Sequence, residues 1–159
     1  MSEIGKFLMN GSLYRGVKPV MWSPVEKTAL AEAEIEYHDH VSTTIFARFP
    51  IKKAPLDILN NYEIIIWTTT PWTMPGNRAV AYGKDIDYSL IEISSVNENS
   101  LAQIGDKIVI ATQLLEEAVK ELAISDYNVS KKLKGSDFEG SILAHPLNGN
   151  GYDHDVLLL

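Results

Sequence analysis

No cysteine occurs among the 159 residues. Disulfides, thiolate zinc sites and cysteine nucleophiles are therefore excluded from the start. Long apolar runs are missing too: no stretch approaches the roughly 18 residues of a membrane helix. The opening Met1–Gly16 segment is broken by charge and glycine, so it is not expected to act as a signal peptide. Positive charge is in short supply, with 14 Lys and Arg against 21 Asp and Glu and a net charge of −7. That argues against a broad face that neutralises nucleic-acid phosphates. A domain that admits only the tip of a nucleic acid held elsewhere stays open. The small basic groups, Lys52–Lys53 and Lys131, Lys132 and Lys134, read as solvated surface. Neither a Gly-x-Gly-x-x-Gly fingerprint nor a P-loop is present, so nucleotide phosphates have no recognisable cradle.

What is there fits one globular domain of ordinary composition, with 45% apolar and 22% charged residues. There is no internal repeat and no low-complexity tract. The pattern is mostly one of short alternating runs. Residues 34–38 and 43–50 read as strands joined by a polar turn. Tyr62–Trp67 is a β-branched run, expected as a buried strand. Residues 78–82, 87–93, 107–111, 127–135 and 138–144 are further strand candidates, with Gly83-Lys84-Asp85 as a turn and 94–106 as a loop. A short helix fits residues 3–10, with Gly11 as its stop. One longer helix is expected from Gln113 to Ala123, where Leu114, Leu115, Ala118, Val119 and Leu122 recur at helical spacing and Thr112 can cap the first turn. The class expected is mainly β with helices (α+β).

Asp155–Leu159 reads as an apolar strand still in progress at the last residue. The expectation is a chain cut from a larger protein.

The unusual passage is Trp67-Thr-Thr-Thr-Pro-Trp-Thr-Met-Pro-Gly-Asn77. Three threonines end the apolar strand and a fourth follows. Strand alternation aims Thr68 and Thr70 one way and Thr69 the other. Pro71 and Pro75 then stiffen the backbone, so hydroxyls and amides are held in place. Such a wall can hydrogen-bond a ribose or an amine, or orient a water. Read on composition alone, the same residues are also an ordinary strand end.

The motif Trp67-Thr-Thr-Thr-Pro-Trp-Thr-Met-Pro-Gly-Asn-Arg-Ala-Val80 resembles the threonine-rich peptide in the editing domain of the isoleucyl-tRNA synthetase family. Lys18-Pro-Val-Met-Trp-Ser23 and Thr28–Tyr37 resemble the approach to that inserted domain, and Asp126-Tyr127 and His145-Pro146-Leu147 follow at similar spacing. The resemblance covers nearly the whole chain. Valyl and leucyl enzymes usually carry Thr-Thr-Arg-Pro-Glu/Asp-Thr at this place, and Trp72 argues against them.

The resemblance implies a small, closed or nearly closed β-barrel of the kind these editing domains share, with a peripheral helix. Residues 1–33 would be the approach and residues 34–159 the editing domain, truncated on its C-terminal side. It implies hydrolysis of valine wrongly attached to the 3′ end of tRNA(Ile), in a cytoplasmic enzyme with no membrane partner. Thr68, Thr69, Thr70, Trp72, Thr73 and Asn77 would line the pocket. Thr69 and Thr70 would contact the ribose or the amino acid, and Trp72 would pack near the adenosine. No cofactor is implied for this domain; ATP would serve a separate catalytic domain, together with the rest of the synthetase.

Two departures matter. The family continues with a Gly-Thr-Gly-x-Val-His-Thr-Ala-Pro-like segment and a later aspartate, which the present chain does not contain, so weak or no activity is expected of it alone and no residue in it is assigned as catalytic. Many relatives also carry a zinc-binding Trp-Cys-x-x-Cys where this chain has Ser23 and Glu26, so no metal is expected. A non-catalytic β-barrel that binds a small polar ligand through the threonines, and the editing domain of a valyl or leucyl enzyme, are the alternatives. His38 and His40 read as a polar turn, Asp153-His154-Asp155 as a loop before the last strand, and His145 as structural.

Overall fold

The computed structural model describes residues 2–159 and divides into two units, split between Val41 and Ser42. The first unit holds helix α1 (Ser2–Met9), a two-residue hairpin of β1 (Trp22–Ser23) and β2 (Thr28–Ala29), and a 3-10 turn at Glu32–Glu34. Helix α1 buries none of its residues, and Gly11 at φ +79° turns the chain away after it. The Ser23 hydroxyl hydrogen-bonds the Glu26 carboxylate, and that bond holds Glu26 below its ordinary pKa. No strand forms at 34–38, where one was expected. The alternation there has no neighbouring strand to bury it; Tyr37 is 87% exposed.

The second unit is one mixed sheet. Its strands are β3 (Ile45–Lys53), β4 (Glu63–Thr68), β5 (Ala79–Val80), β6 (Asp87–Val96), β7 (Lys107–Ala111), β8 (Ile124–Lys134), β9 (Ile142–Ala144) and β10 (Asp155–Leu158). They run in the order β5-β10-β9-β3-β4-β7-β6-β8. Each face of the sheet buries its own apolar layer. Phe49, Ile64, Leu90, Val109, Leu143 and Val156 belong to one, and Ile91, Ile93, Ile108 and Ile110 to the other. The period of two that puts Ile64 and Ile65 on opposite faces is the reason a continuous Ile-Ile-Ile run is a strand here. Helix α2 (Leu115–Glu121) lies at the periphery and closes the second layer with Leu115 and Ala118. It starts later than expected: Leu114 is 57% exposed, and the Thr112 hydroxyl pairs with Ser89 Oγ at 2.9 Å instead of capping the helix.

The α+β class is as expected. The expected closure into a barrel is not formed among the described residues: β5 and β8 are the two ends of the strand order. Both edges face the same core, through Val80 and Leu133, so the sheet curls around it. β5 is only two residues long, which leaves too little edge to ladder onto β8. The chain instead crosses between the edges through the turn after β5, where Gly135 N–H donates to Ile86 O at 2.9 Å and Ser136 N–H to Lys84 O at 3.0 Å. Other boundaries differ: β3 runs on to Lys53, past the expected 50, and β8 begins at Ile124, ahead of the expected 127. Residues 94–106 are not all loop, since β6 runs on to Val96. The stretch 138–144 begins as a 3-10 turn and becomes strand only at Ile142.

Two backbone sites set opposite expectations for stability. A Cβ on Gly135 would lie 1.9 Å from the Gly83 carbonyl oxygen, so Gly135→Ala should cost about 1–3 kcal/mol or more. Ala123 sits at φ +53° after α2, so Ala123→Gly should add about 1 kcal/mol by relieving left-handed strain. Urea unfolding of both variants checks the signs.

Candidate functional site

β4 pairs antiparallel with β3 from Pro50↔Glu63 to Ile45↔Thr68, so Thr68 is the last residue held in the ladder. Thr70 follows at φ −127°, ψ 63°, and Pro71–Gly76 form a 3-10 helix with Pro71 at its start. The strand cannot continue because Pro71 has no N–H to give.

The hydroxyls of Thr68 and Thr70 lie 3.2 Å apart, which is the same-side placement that alternation predicts. Thr68 Oγ1 also accepts the Thr70 N–H at 3.1 Å. Thr73 Oγ1 donates to Thr70 O at 2.8 Å. Three of the four threonines therefore lock one another in place. Thr69 differs: its side chain is exposed and its hydroxyl makes no hydrogen bond among the described residues, while its carbonyl accepts from Ser42 Oγ at 3.4 Å. Asn77 donates its N–H to Met74 O at 3.0 Å, and its side-chain Oδ1 is buried with no protein partner. An orphan acceptor of this kind costs about 1–3 kcal/mol.

Two hollows lie nearby. A cleft of about 440 Å³ is lined by Trp72, Pro71, Pro75, Arg48 and Leu147 among others. Of the six expected site residues only Trp72 lines it; 70% of Trp72 is exposed. A second, apolar cavity of about 490 Å³ opens beside Trp67 and holds none of the six. It exists because the parallel pairing of β4 with β7 covers only Glu63↔Ile108 and Ile64↔Val109, after which the strands part. The hydroxyls are thus neither sealed in the core nor gathered inside one cavity. They stand on a stiff turn between two.

Arg48 carries no signal in the sequence pattern, yet the fold gives it a central place. It bonds Glu63 Oε2 at 3.1 Å and Asp106 Oδ2 at 2.5 Å, tying β3 to β4 and to the approach of β7. Burial opposes its charge, but Asp106 and then Glu63 outweigh that, and the guanidinium is held above its ordinary pKa. The histidines also prove informative. His38, in the first unit, is exposed and lies 3.4 Å from Glu36. His145 and His154 both reach the turn, with His145 Nε2 2.8 Å from Met74 O and His154 Nε2 3.0 Å from Asn77 O.

The family described as tRNA synthetases class I (I, L, M and V) matches residues 1–135. The chain belongs to this family. Among curated class I relatives, it is 54% identical over 161 residues to the isoleucine--tRNA ligase of Gluconobacter oxydans (strain 621H), covering 100% of this chain and 17% of that protein. It is 51% identical over 157 residues to the isoleucine--tRNA ligase of Pelagibacter ubique (strain HTCC1062), covering 99% of this chain and 17% of that protein. It is 49% identical to the isoleucine--tRNA ligase of Caulobacter vibrioides over 151 residues, which are 92% of this chain and 15% of that one. The chain therefore spans about one sixth of the length of these synthetases. No helix among the described residues is long and apolar enough to cross a membrane.

Within this synthetase segment the Thr68 hydroxyl is the hub of the turn. Thr68→Val should lower stability by about 1–2 kcal/mol, because the half-buried Thr70 N–H loses its acceptor. Thr68→Ser, which keeps the oxygen, should lose less. Equilibrium unfolding in urea separates the two.

Proposed function

We propose that this chain is the proofreading part of an isoleucine–tRNA ligase and that the turn Thr68–Asn77 forms one wall of its editing pocket. The observation that carries the reading is the exposed, unpaired Thr69 hydroxyl on a proline-stiffened turn whose other threonines are fixed by one another, beside the Trp72 cleft. The names of the relatives support the amino acid. A ligase for isoleucine meets valine, which is smaller by one methylene. In general that difference is worth only about 1–3 kcal/mol of discrimination in an apolar pocket, so a second site must remove the product that the first site lets through.

On this reading the substrate is the 3′ end of tRNA(Ile) carrying valine. Water adds to the ester carbonyl, the bond from that carbon to the ribose oxygen breaks, the ribose hydroxyl takes up a proton, and free valine and tRNA leave. Thr69 and Thr70 hold the ribose or the amino acid, Thr73 and Asn77 support the wall, and Trp72 packs near the adenosine. None of these groups is a nucleophile. The rate comes from orientation and from hydrogen bonds to the developing charge. The domain uses water and no cofactor, while ATP serves a separate part of the longer protein. The net charge of −7 suits a domain that receives only a nucleotide end and leaves the bulk of the tRNA to the rest of the synthetase.

The test uses a longer protein that contains these residues. It should deacylate Val-tRNA(Ile) and spare Ile-tRNA(Ile), and Thr69→Pro should cut the rate at least about tenfold, equivalent to ~1.4 kcal/mol of transition-state stabilisation. Full activity in that variant would remove the turn from the site. The 159-residue chain by itself should be nearly inactive; brisk turnover by it would show that no other segment is needed.

A further inference from the structure

β9 ends at Ala144 and β10 begins at Asp155, and these two residues pair across the antiparallel ladder. The loop between them is therefore pinched at its base, and its first and last residues are both histidines, His145 and His154. Their rings lie 4.8 Å apart at 48°. Tyr152 also stacks on His145, at 5.4 Å and 24°. His145 is 1% exposed, so its polar atoms must find partners inside the protein. Its Nδ1 accepts the Leu147 N–H at 3.1 Å, which leaves the proton on Nε2. Nε2 lies 2.8 Å from Met74 O. His154 Nε2 faces Asn77 O at 3.0 Å, and a carbonyl can only accept, so this nitrogen also carries a proton.

We propose that His145 and His154 form a two-imidazole clamp that positions the threonine-rich turn. Each donates one N–H to a main-chain carbonyl of the same turn, at Met74 and at Asn77. Pinned at these two points, the segment from Pro71 to Asn77 presents Trp72 to the cleft, and its own bonds from Thr73 and Asn77 to Thr70 O and Met74 O hold the curvature. Neither histidine is given a catalytic role. Their importance for hydrolysis rests on the proposed reading of the turn; the clamp itself does not.

The experiment is amide hydrogen exchange by NMR on the 159-residue chain. His154→Leu should speed exchange of the Asn77 and Thr73 amides roughly five- to tenfold, as expected for one lost hydrogen bond, and leave the β6 and β7 amides unchanged. His154→Gln, which keeps a donor at similar reach, should restore most of the protection. The imidazole nitrogen spectrum should show the His145 proton on Nε2. Unchanged exchange in His154→Leu, equal acceleration throughout the sheet, a Gln variant no better than Leu, or a proton on His145 Nδ1 would each overturn the clamp. In the longer protein, kcat for Val-tRNA deacylation should fall with His154→Leu and recover with His154→Gln. If that protein shows no deacylation at all while the exchange result holds, the functional reading fails and the clamp stands.

Discussion

The ladder between β3 and β4 is the constraint from which the candidate site follows. Its register, from Pro50↔Glu63 to Ile45↔Thr68, decides which isoleucine faces which core. It also decides where the strand must give out. The backbone at Thr68 is still held by a neighbour, and three residues later Pro71 has no N–H to continue with. Between those points the chain turns, and the threonine oxygens take over the pairing that the ladder no longer provides. Hydroxyls that bond to one another and to backbone are oriented without being buried, which is what a polar recognition surface requires.

The same sheet shows where its cohesion ends. β4 is fully paired on the β3 side but shares only two register positions with β7. Arg48 reaches from β3 to Glu63 and Asp106 close to the point where the strands meet. It therefore fastens the joint from one side while the opposite end parts around an apolar cavity. A partly buried guanidinium with two carboxylates is suited to this position, because its planar fork satisfies two acceptors at once.

Much of this was legible from residue order. The runs at 62–67 and 107–111 are rich in β-branched apolar residues, and 87–93 carries Leu90, Ile91 and Ile93; such runs become strands wherever both faces are covered. The motif could be picked out from its hydroxyls and prolines, and alternation put Thr68 and Thr70 on one side; their 3.2 Å contact comes from the turn that follows the strand. Other parts were out of reach. The alternation at 34–38 has the look of a strand, yet pattern only proposes a face, and here nothing buries it. Leu114 fits the helical stripe but stays exposed, so the helix start moved. The barrel depended on a pairing between edges that β5 is too short to make. His145 reads as structural and His154 as part of a loop, but the main-chain carbonyls they grip, 71 and 77 residues away, are partners that sequence does not reveal. The cleft beside Trp72, which draws on β3, the turn and the loop after β9, is equally invisible before folding.

The central claim is that the threonine turn tells valine from isoleucine. The most direct measurement is a titration of the longer protein, with its threonine and isoleucine methyl groups isotopically labelled, using terminal-adenosine mimics in which an amide replaces the ester to valine or to isoleucine. The account predicts that the valyl mimic shifts the methyl signals of Thr69, Thr70 and Thr73 at concentrations where the isoleucyl mimic does not. Equal shifts from both mimics, or shifts confined to Ile64, Ile66 and Ile110 around the apolar cavity, would contradict it.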